Sequence, residues 1–531
     1  MVVPELRPWR AAKPRLARVA NAVRPCFARV TAVTGPRVTR LVRATKPQVT
    51  RVATAKTWQY TTGAATVGLA LAVVVVTAAG PWDSSGQRTA ERDWAAAQEG
   101  GGGADHGSRS GTSDAAAGAP QPAPSAASVL TGLGGAANTV KSAPAGQALA
   151  GVLNPLLNDP ALGARHAAAV VDVTTGKHLY GTGTHDALTP ASTTKIATAV
   201  AALSALGPDH RLTTRTVYEP DTEELILVGG GDPTLTARKG SRGLADLRTL
   251  ARETAAALKQ RDVRQVTLSY DTTLYAGPER HPIGVNDNLA LVTALMADEA
   301  RTDGSTSGPA PRVTDPAAEA TRTFAGFLRD HGIRTTSPGP SKATDRADAL
   351  ATVSSPPLSA LVERMLTNSD NDIAEALARH TAVATGERAD FAGAGRAMQA
   401  QLRKLGLPLK GTVLRDGSGL NRDNRLTVDL ITALLLKAAD PARPALRPTL
   451  TGLPVAGFTG TLSDRYGDGA AGIVRAKTGT LTGVNALAGT VVNQDGRLLA
   501  FAFLATGTTD PTAAQTALDR AATALAACGC R

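Results

Sequence analysis

The hexapeptide Pro190-Ala191-Ser192-Thr193-Thr194-Lys195 constrains this chain most, because it joins an extended apolar stretch to an alanine-rich one. We predict strands over residues 167–173 and 178–181 and a helix over residues 192–206. Gly207-Pro208 would stop the helix. The fold must therefore present Ser192 at the start of a helix that follows a β-hairpin.

Ser192 and Lys195 would project from the same helix face about one turn apart. A serine hydroxyl is a weak nucleophile until a base takes its proton, and a desolvated lysine with a lowered pKa can be that base. The free N–H groups of the helix start would also favour negative charge near Ser192. The simpler alternative is an N-cap serine followed by a solvated lysine, because SxxK spacing alone is permissive.

Positive charge is concentrated at the N-terminus. The first sixty residues carry thirteen Lys and Arg and one acidic residue, Glu5, so they account for the whole formal net charge of +12. The rest is formally neutral, which argues against a basic, nucleic-acid-binding catalytic domain. We predict that residues 1–60 are a disordered cytoplasmic arm attracted to anionic lipid, with no nucleic acid as partner.

A stretch without charge follows this arm. No charged residue lies between Lys56 and Asp83, and residues 61–80 match the ~20 apolar residues that cross a bilayer. The preceding basic residues predict a cytoplasmic N-terminus. We therefore predict a single-pass transmembrane signal-anchor helix in the cell membrane and an extracytoplasmic catalytic domain. The alternatives are a buried core helix, or a signal peptide cleaved near Ala79, which would leave a secreted protein.

The remaining chain divides by composition and pattern. Residues 81–145 are rich in Gly, Ala, Ser and Pro and predict a linker. We assign residues 146–231 and 357–531 to one α+β domain and residues 232–356 to an inserted accessory domain. An early hairpin, a late strand pair (484–492 and 497–506) and a final helix at Pro511–Ala527 predict one antiparallel sheet flanked by helices, with a helical cluster.

No metal site or cofactor is predicted. Cys26 lies in the basic arm, Cys528 and Cys530 lie at the C-terminus, and the eight His residues form no ligand motif.

Two further motifs each match their pattern once in the chain. Ser369-x-Asn371 falls on a turn between predicted helices over residues 358–366 and 373–385, and alone it would pass as a helix N-cap. Lys477-Thr478-Gly479 falls on a predicted strand over residues 472–480. Three unique motifs on a helix start, an inter-helix turn and a strand are much more specific than any one of them.

These motifs resemble the SxxK, SxN and K[ST]G signatures of penicillin-binding proteins and serine β-lactamases. Three further features point to one group within these proteins. They are the long insertion between the first two motifs and the strings Gly230-Gly231-Asp232-Pro233 and Asp416-Gly417-Ser418-Gly419-Leu420. The sequence is most similar to the low-molecular-mass class C penicillin-binding proteins, the D-alanyl-D-alanine carboxypeptidase/endopeptidase family. The resemblance covers residues 151–527 and implies their transpeptidase-type fold.

The resemblance implies three catalytic residues. Ser192 would attack the carbonyl between two D-alanines, Lys195 would accept its proton, and Ser369 would relay a proton to the leaving amine. The backbone N–H groups of Ser192 and Thr480 would form the oxyanion hole, typically worth about 3–4 kcal/mol per donor. The implied substrates are peptidoglycan stem peptides, and the implied inhibitors are β-lactam antibiotics that acylate the same serine.

The resemblance also implies substrate-binding residues. Asn371 would hold the substrate amide, and Lys477, Thr478 and Gly479 would bind its terminal carboxylate. We expect Lys477 to stay charged, and Lys195 to be desolvated with its pKa lowered by burial and by Lys477.

Rival functions share part of this chemistry. A serine β-lactamase must deacylate fast, and we identify no dedicated deacylating glutamate. A non-catalytic penicillin sensor would couple acylation to the cytoplasmic arm, whereas a structural wall-binding protein would need none of the motifs. Carboxypeptidase and endopeptidase activity stay open, because both substrates present the same D-centre to Ser192.

Overall fold

The computed structural model describes residues 146–240, 243–467 and 469–529. The predicted arm (1–60), membrane span (61–80) and linker (81–145) lie outside these residues. In the part that is described, no helix combines the length and the apolar character needed to cross a membrane.

The described residues form eleven β-strands and ten α-helices. In chain order the strands are β1 Arg165–Asp172, β2 His178–Thr182, β3 Thr213–Glu219, β4 Glu224–Val228, β5 Gln265–Asp271, β6 Arg334–Thr335, β7 Gly339–Pro340, β8 Asp348–Ser354, β9 Val474–Leu481, β10 Val484–Val492 and β11 Leu498–Thr506. The α-helices are α1 Gly146–Leu157, α2 Thr194–Leu206, α3 Leu247–Gln260, α4 Pro316–Asp330, α5 Leu358–Asn368, α6 Asn371–Thr385, α7 Phe391–Lys404, α8 Val428–Ala439, α9 Pro448–Thr451 and α10 Pro511–Ala527.

The first sheet has the strand order β2-β1-β11-β10-β9, and each neighbouring pair is antiparallel. In the centre of the sheet, Ala169 lies opposite Ala502. Strands β10 and β11 are buried almost throughout, which explains their nearly continuous apolar sequences. The predicted antiparallel sheet, built from both ends of the domain, is confirmed.

Side chains alternate between the two faces of this sheet. Along β11, Phe501 and Phe503 pack towards α1 and α10, whereas Ala500 and Ala502 pack towards the helical cluster of α2 and α5 to α8. The alanines leave room for helix α2, whose residues from Thr194 to Leu203 are all buried. Helix α2 is thus the central helix of the cluster, and Lys195 lies in its first turn.

A second sheet has the order β6-β5-β4-β3-β8, with β7 also paired to β5. Helices α3 and α4 cover it, and Phe324 lies at the centre of its core. We predicted an inserted domain over residues 232–356, and this sheet also contains β3 and β4, which precede those residues. β3 pairs with β4 and, at Thr213 opposite Ser354, with β8. Local pattern could not show these long-range pairings.

Candidate active site

Ser192 lies in a short 3₁₀ turn, Ala191–Thr193, that leads directly into α2. The turn is held by its own hydroxyls, since Thr193 Oγ1 donates to Pro190 O at 2.7 Å and Thr194 Oγ1 donates to Ala191 O at 2.9 Å. Ala191 has a φ of 47°, a conformation that non-glycine residues rarely adopt. The serine therefore stands at the helix start, as the sequence predicts, on a turn with a constrained backbone.

Lys195 is fully buried beneath Ser192. Its Nζ donates to Ser192 Oγ at 3.2 Å, to Asn371 Oδ1 at 2.6 Å and to the Ser418 carbonyl at 2.8 Å. Burial lowers the pKa of Lys195 to about 8, although nearby carboxylates, Asp416 first among them, oppose this shift. Burial is thus the cause we expected, but carboxylates rather than Lys477 are its main electrostatic neighbours.

The Ser369-x-Asn371 motif lies where α5 ends and α6 begins. Ser369 is the C-cap of α5 in the left-handed conformation, and the Asp370 carboxylate caps α6 by accepting from Ile373 N at 3.0 Å. Asn371 Oδ1 accepts from Lys195, and its Nδ2 donates to Asn288 O at 2.8 Å. Ser369 is not among the hydrogen-bond partners of Lys195.

Lys477, Thr478, Gly479 and Thr480 follow one another on β9, the edge strand of the first sheet. A Cβ at Gly479 would lie 2.8 Å from Pro190 O, so glycine lets this strand approach the turn that carries Ser192. Thr478 Oγ1 is 2.9 Å from Thr461 Oγ1. The structure thus brings the third motif beside the first.

The surroundings of Lys477 bear on our expectation that this side chain stays charged. It is fully buried, and its Nζ donates to the Thr478 carbonyl at 2.8 Å. Burial, followed by the charges of Lys195 and Arg465, lowers the pKa of Lys477 well below its usual value. No carboxylate offsets these effects among the described residues that perturb it, so Lys477 holds its proton less tightly than a solvated lysine does.

A cleft of about 360 Å³ connects the three motifs. From the predicted set it is lined by Ser192, Ser369, Asn371, Thr478 and Thr480, whereas Lys195, Lys477 and Gly479 lie behind its surface. Sequence reasoning missed several other lining residues: Asn288, Arg301, Thr461, Arg465 and Gln515. They come from loops and helices distant in sequence, and no local pattern marked them.

Residues 299–312, which precede α4, contact the Ser369 turn and α5 through buried ion pairs. Glu299 is paired with Arg301 at 2.7 Å and with Arg364, and Arg312 is 2.8 Å from Asp372. Asp372 Oδ1 also accepts from Ala290 N at 3.0 Å. Guanidinium groups thus contact the acidic side chains of this cluster, and the inserted region contacts the Ser369 turn directly.

The sequence matches a known family and its members over most of its length. The profile of the D-Ala-D-Ala carboxypeptidase 3 (S13) family matches residues 149–302 and 300–527. Carboxypeptidase DacB of Mycolicibacterium smegmatis is 37% identical over 408 residues, which cover 73% of this chain and 85% of the relative. Carboxypeptidase Rv3627c of Mycobacterium tuberculosis is 35% identical over 429 residues, which cover 78% and 90%.

Solved structures agree with the fold. The crystal structure of penicillin binding protein 4 (dacB) from Haemophilus influenzae superposes with a TM-score of 0.57 at 22% identity, covering 71% of this chain and 97% of that one. The predicted penicillin-binding-protein-like α+β fold is thus confirmed for the described residues. The profile match and the identity to these relatives show that the chain belongs to the D-Ala-D-Ala carboxypeptidase 3 (S13) family, the low-molecular-mass class C penicillin-binding proteins.

Proposed function

We propose that this protein is a serine-type D-alanyl-D-alanine carboxypeptidase that acts on peptidoglycan stem peptides through an acyl-enzyme on Ser192. The observation that carries the proposal is the 3.2 Å contact between Ser192 Oγ and the Nζ of a fully buried Lys195. This distance places a base within reach of the nucleophile's proton. The two mycobacterial relatives, both named carboxypeptidases, support the same reaction class.

Acylation follows from this contact. Lys195 takes the proton of Ser192 Oγ while that oxygen bonds to the carbonyl carbon between the terminal D-alanines. The resulting oxyanion is stabilised by the backbone N–H groups of Ser192 and Thr480. The C–N bond then breaks, the amine of the last D-alanine leaves with a proton relayed by Ser369, and an ester remains on Ser192. Water hydrolyses this ester, with Lys195 again acting as base.

The protonation state of Lys195 sets the pH dependence of acylation. With a pKa of about 8, only roughly one molecule in ten carries a neutral Lys195 at pH 7. The acylation rate should therefore rise with pH through this pKa.

Recognition of the terminal carboxylate falls to Lys477, Thr478 and Gly479 in this proposal. A bound carboxylate would favour the ammonium form of Lys477 and so oppose the effect of burial on its pKa. Arg465 lines the same cleft and is held in place by two bonds to Asp519, of 2.9 and 2.6 Å. A peptide carboxylate would thus meet fixed positive charge at this end of the cleft.

A β-lactamase is disfavoured by the position of Glu375. This buried glutamate contacts residues 417 and 418 under Lys195, where its carboxylate accepts from Gly417 N and Ser418 N. It therefore does not face the cleft as a deacylating base would.

Three substrates test the proposal in parallel: a peptide ending in D-Ala-D-Ala, a cross-linked muropeptide dimer and a cephalosporin. We expect D-alanine release from the peptide, with the dimer measurement deciding whether cross-links are also cut. A peptide ending in L-Ala-L-Ala serves as the control and should not be hydrolysed. Rapid cephalosporin turnover without peptide hydrolysis would instead assign a β-lactamase, and acylation without turnover would assign a sensor.

We also propose that residues 61–80 anchor the protein in the cell membrane with its N-terminus in the cytoplasm and its catalytic domain outside. The support is the charge-free run preceded by thirteen basic residues. Protease added outside protoplasts should release an active soluble fragment cut within residues 81–145. Protection of the catalytic domain from that protease would contradict the orientation, and a mature N-terminus near Gly80 would replace the anchor by a cleaved signal.

A further inference from the structure

Two buried carboxylates lie beneath Lys195 without touching the cleft. Glu375 and Asp416 are 1% and 0% exposed, and neither is part of the three motifs. The His281 imidazole, 3% exposed, lies beside them. One oxygen of each carboxylate and one ring nitrogen of His281 all lie within 4.8 Å of one another. Buried charge of this density is costly unless it is compensated, so its retention under a catalytic base requires an explanation.

Glu375 contacts the same short segment as Lys195. It lies four residues after Asn371 on α6, and its carboxylate accepts from Gly417 N at 3.1 Å and Ser418 N at 2.8 Å. The carbonyl of Ser418 in turn accepts from Lys195 Nζ at 2.8 Å. One residue, Ser418, is thus held between the carboxylate and the amine.

Asp416 fixes the other end of that segment. Its carboxylate accepts from Gly419 N at 2.9 Å, Asn421 N at 2.7 Å and Asn424 Nδ2 at 2.6 Å. Although burial raises the pKa of Asp416, its hydrogen bond with His281 and those backbone bonds hold it below the usual value. Asp416 is therefore a permanent anion close to Lys195.

His281, which lies between β5 and α4, is the imidazole that contacts Asp416. Its Nδ1 accepts from Ile283 N at 3.2 Å, and its Nε2 lies 3.0 Å from Asp416 Oδ2. The imidazole therefore fixes the orientation of the Asp416 carboxylate.

Hydrogen bonding indicates that Glu375 is also ionised. Burial and the neighbouring Asp416 raise its pKa. However, both carboxylate oxygens accept from backbone N–H groups, and no acceptor for a carboxyl proton is bonded to it among the described residues. The Arg379 guanidinium is a further positive neighbour.

We propose that Glu375 is a positioning residue for Lys195: with Asp416 and His281 it holds the Ser418 carbonyl on Nζ and supplies part of the negative potential that sets how readily Lys195 loses its proton. Lys195 also faces Asp370 and Asp372 at the start of α6 and Lys477 on β9. Glu375 is bonded to Gly417 N and Ser418 N of the segment that contacts Nζ, it lies outside that segment, and glutamine can replace it isosterically without its charge.

The sign of the effect follows from Coulomb's law. A carboxylate stabilises the ammonium form of Lys195, so it raises the pKa that burial lowers. Replacing Glu375 by glutamine removes the charge and keeps an oxygen for Gly417 N and Ser418 N. The base would then lose its proton more easily, and the pH at which acylation reaches half its maximum should fall.

The test is the pH profile of single-turnover acylation by penicillin in the full-length protein. We expect Glu375→Gln to lower the midpoint by about one pH unit, with the plateau rate changed by less than about threefold. Glu375→Asp should bring the midpoint back towards the wild-type value. The matched control is Glu363→Gln, because Glu363 lies on α5 and its carboxylate accepts from Thr451 at an exposed site; its midpoint should not move.

An unchanged or raised midpoint for Glu375→Gln would overturn the inference, whatever its plateau rate. Thermal unfolding of each variant shows whether it is folded, and a midpoint can be read even from a lowered plateau. The inference rests on the proposed role of Lys195, and the two fail differently. A wild-type profile without any midpoint would remove the role of Lys195 as base, whereas a normal wild-type profile with an unshifted Glu375→Gln would remove only the role of Glu375.

Discussion

Replacing Ser192 with alanine should abolish both covalent penicillin binding and release of D-alanine, with a loss of at least about 10³-fold in each. The reason is that, among the described residues lining the cleft, only Ser192 has a hydroxyl hydrogen-bonded to the buried Lys195 amine, at 3.2 Å. Intact-mass spectrometry after incubation with penicillin measures the adduct, and a D-alanine assay measures turnover.

The matched control is Ser204→Ala, because Ser204 lies on the same helix α2 but outside the cleft. This variant should acylate and turn over like the wild type. If Ser192→Ala still gains the adduct, Ser192 is not the nucleophile. Peptide mapping of such an adduct to Ser418 would further mean that the segment beneath Lys195 is the reactive one.

Replacing each of the two buried lysines, Lys195 and Lys477, with arginine should have different effects. Lys195→Arg keeps a cation but removes the base, since guanidinium does not deprotonate at working pH. Acylation and peptide hydrolysis should both fall by about 10³-fold or more. Lys477→Arg keeps the charge for a substrate carboxylate with altered geometry, so we expect about a tenfold rise in KM and slow but measurable acylation at saturating penicillin.

Substrate affinity should depend on pH in a way that the sequence did not suggest. Because the pKa of Lys477 is lowered by burial, Lys195 and Arg465, binding a carboxylate would be accompanied by proton uptake. KM for the peptide should therefore rise with pH in the wild type and much less in Lys477→Arg. Equal residual acylation rates in both arginine variants, or an active Lys195→Arg enzyme with an unshifted pH profile, would show that the base is assigned to the wrong lysine.

Local sequence pattern was a good guide to the elements that carry the motifs. Strand Val484–Val492 and helix Pro511–Ala527 occur where they were predicted, and the Ser369 turn lies between two helices. These elements follow from apolar period, helix caps and turn residues, which act over a few residues and are visible in one sequence. The order of the three motifs then sufficed to identify the family.

The environment of the two lysines could not be predicted from the same patterns. By its sequence Lys477 is an ordinary cation on a strand, and only its burial on β9 beside Lys195 and Arg465 shows why its pKa is lowered. In the sequence Glu375 is an unremarkable residue of a predicted helix. Because it lies four residues after Asn371, it could have been expected on the same face of α6 as Asn371. Its contact with Ser418 required the fold.

Residue identity and short spacing were enough to identify the family, the candidate nucleophile and its candidate base. The start of the second sheet, the side chains that line the cleft and the carboxylates around Lys195 became known only from the fold. The physical reason is that strand pairing, burial and buried charge are set by contacts between residues far apart in the chain, and these contacts determine the pKa values on which the proposed catalysis depends.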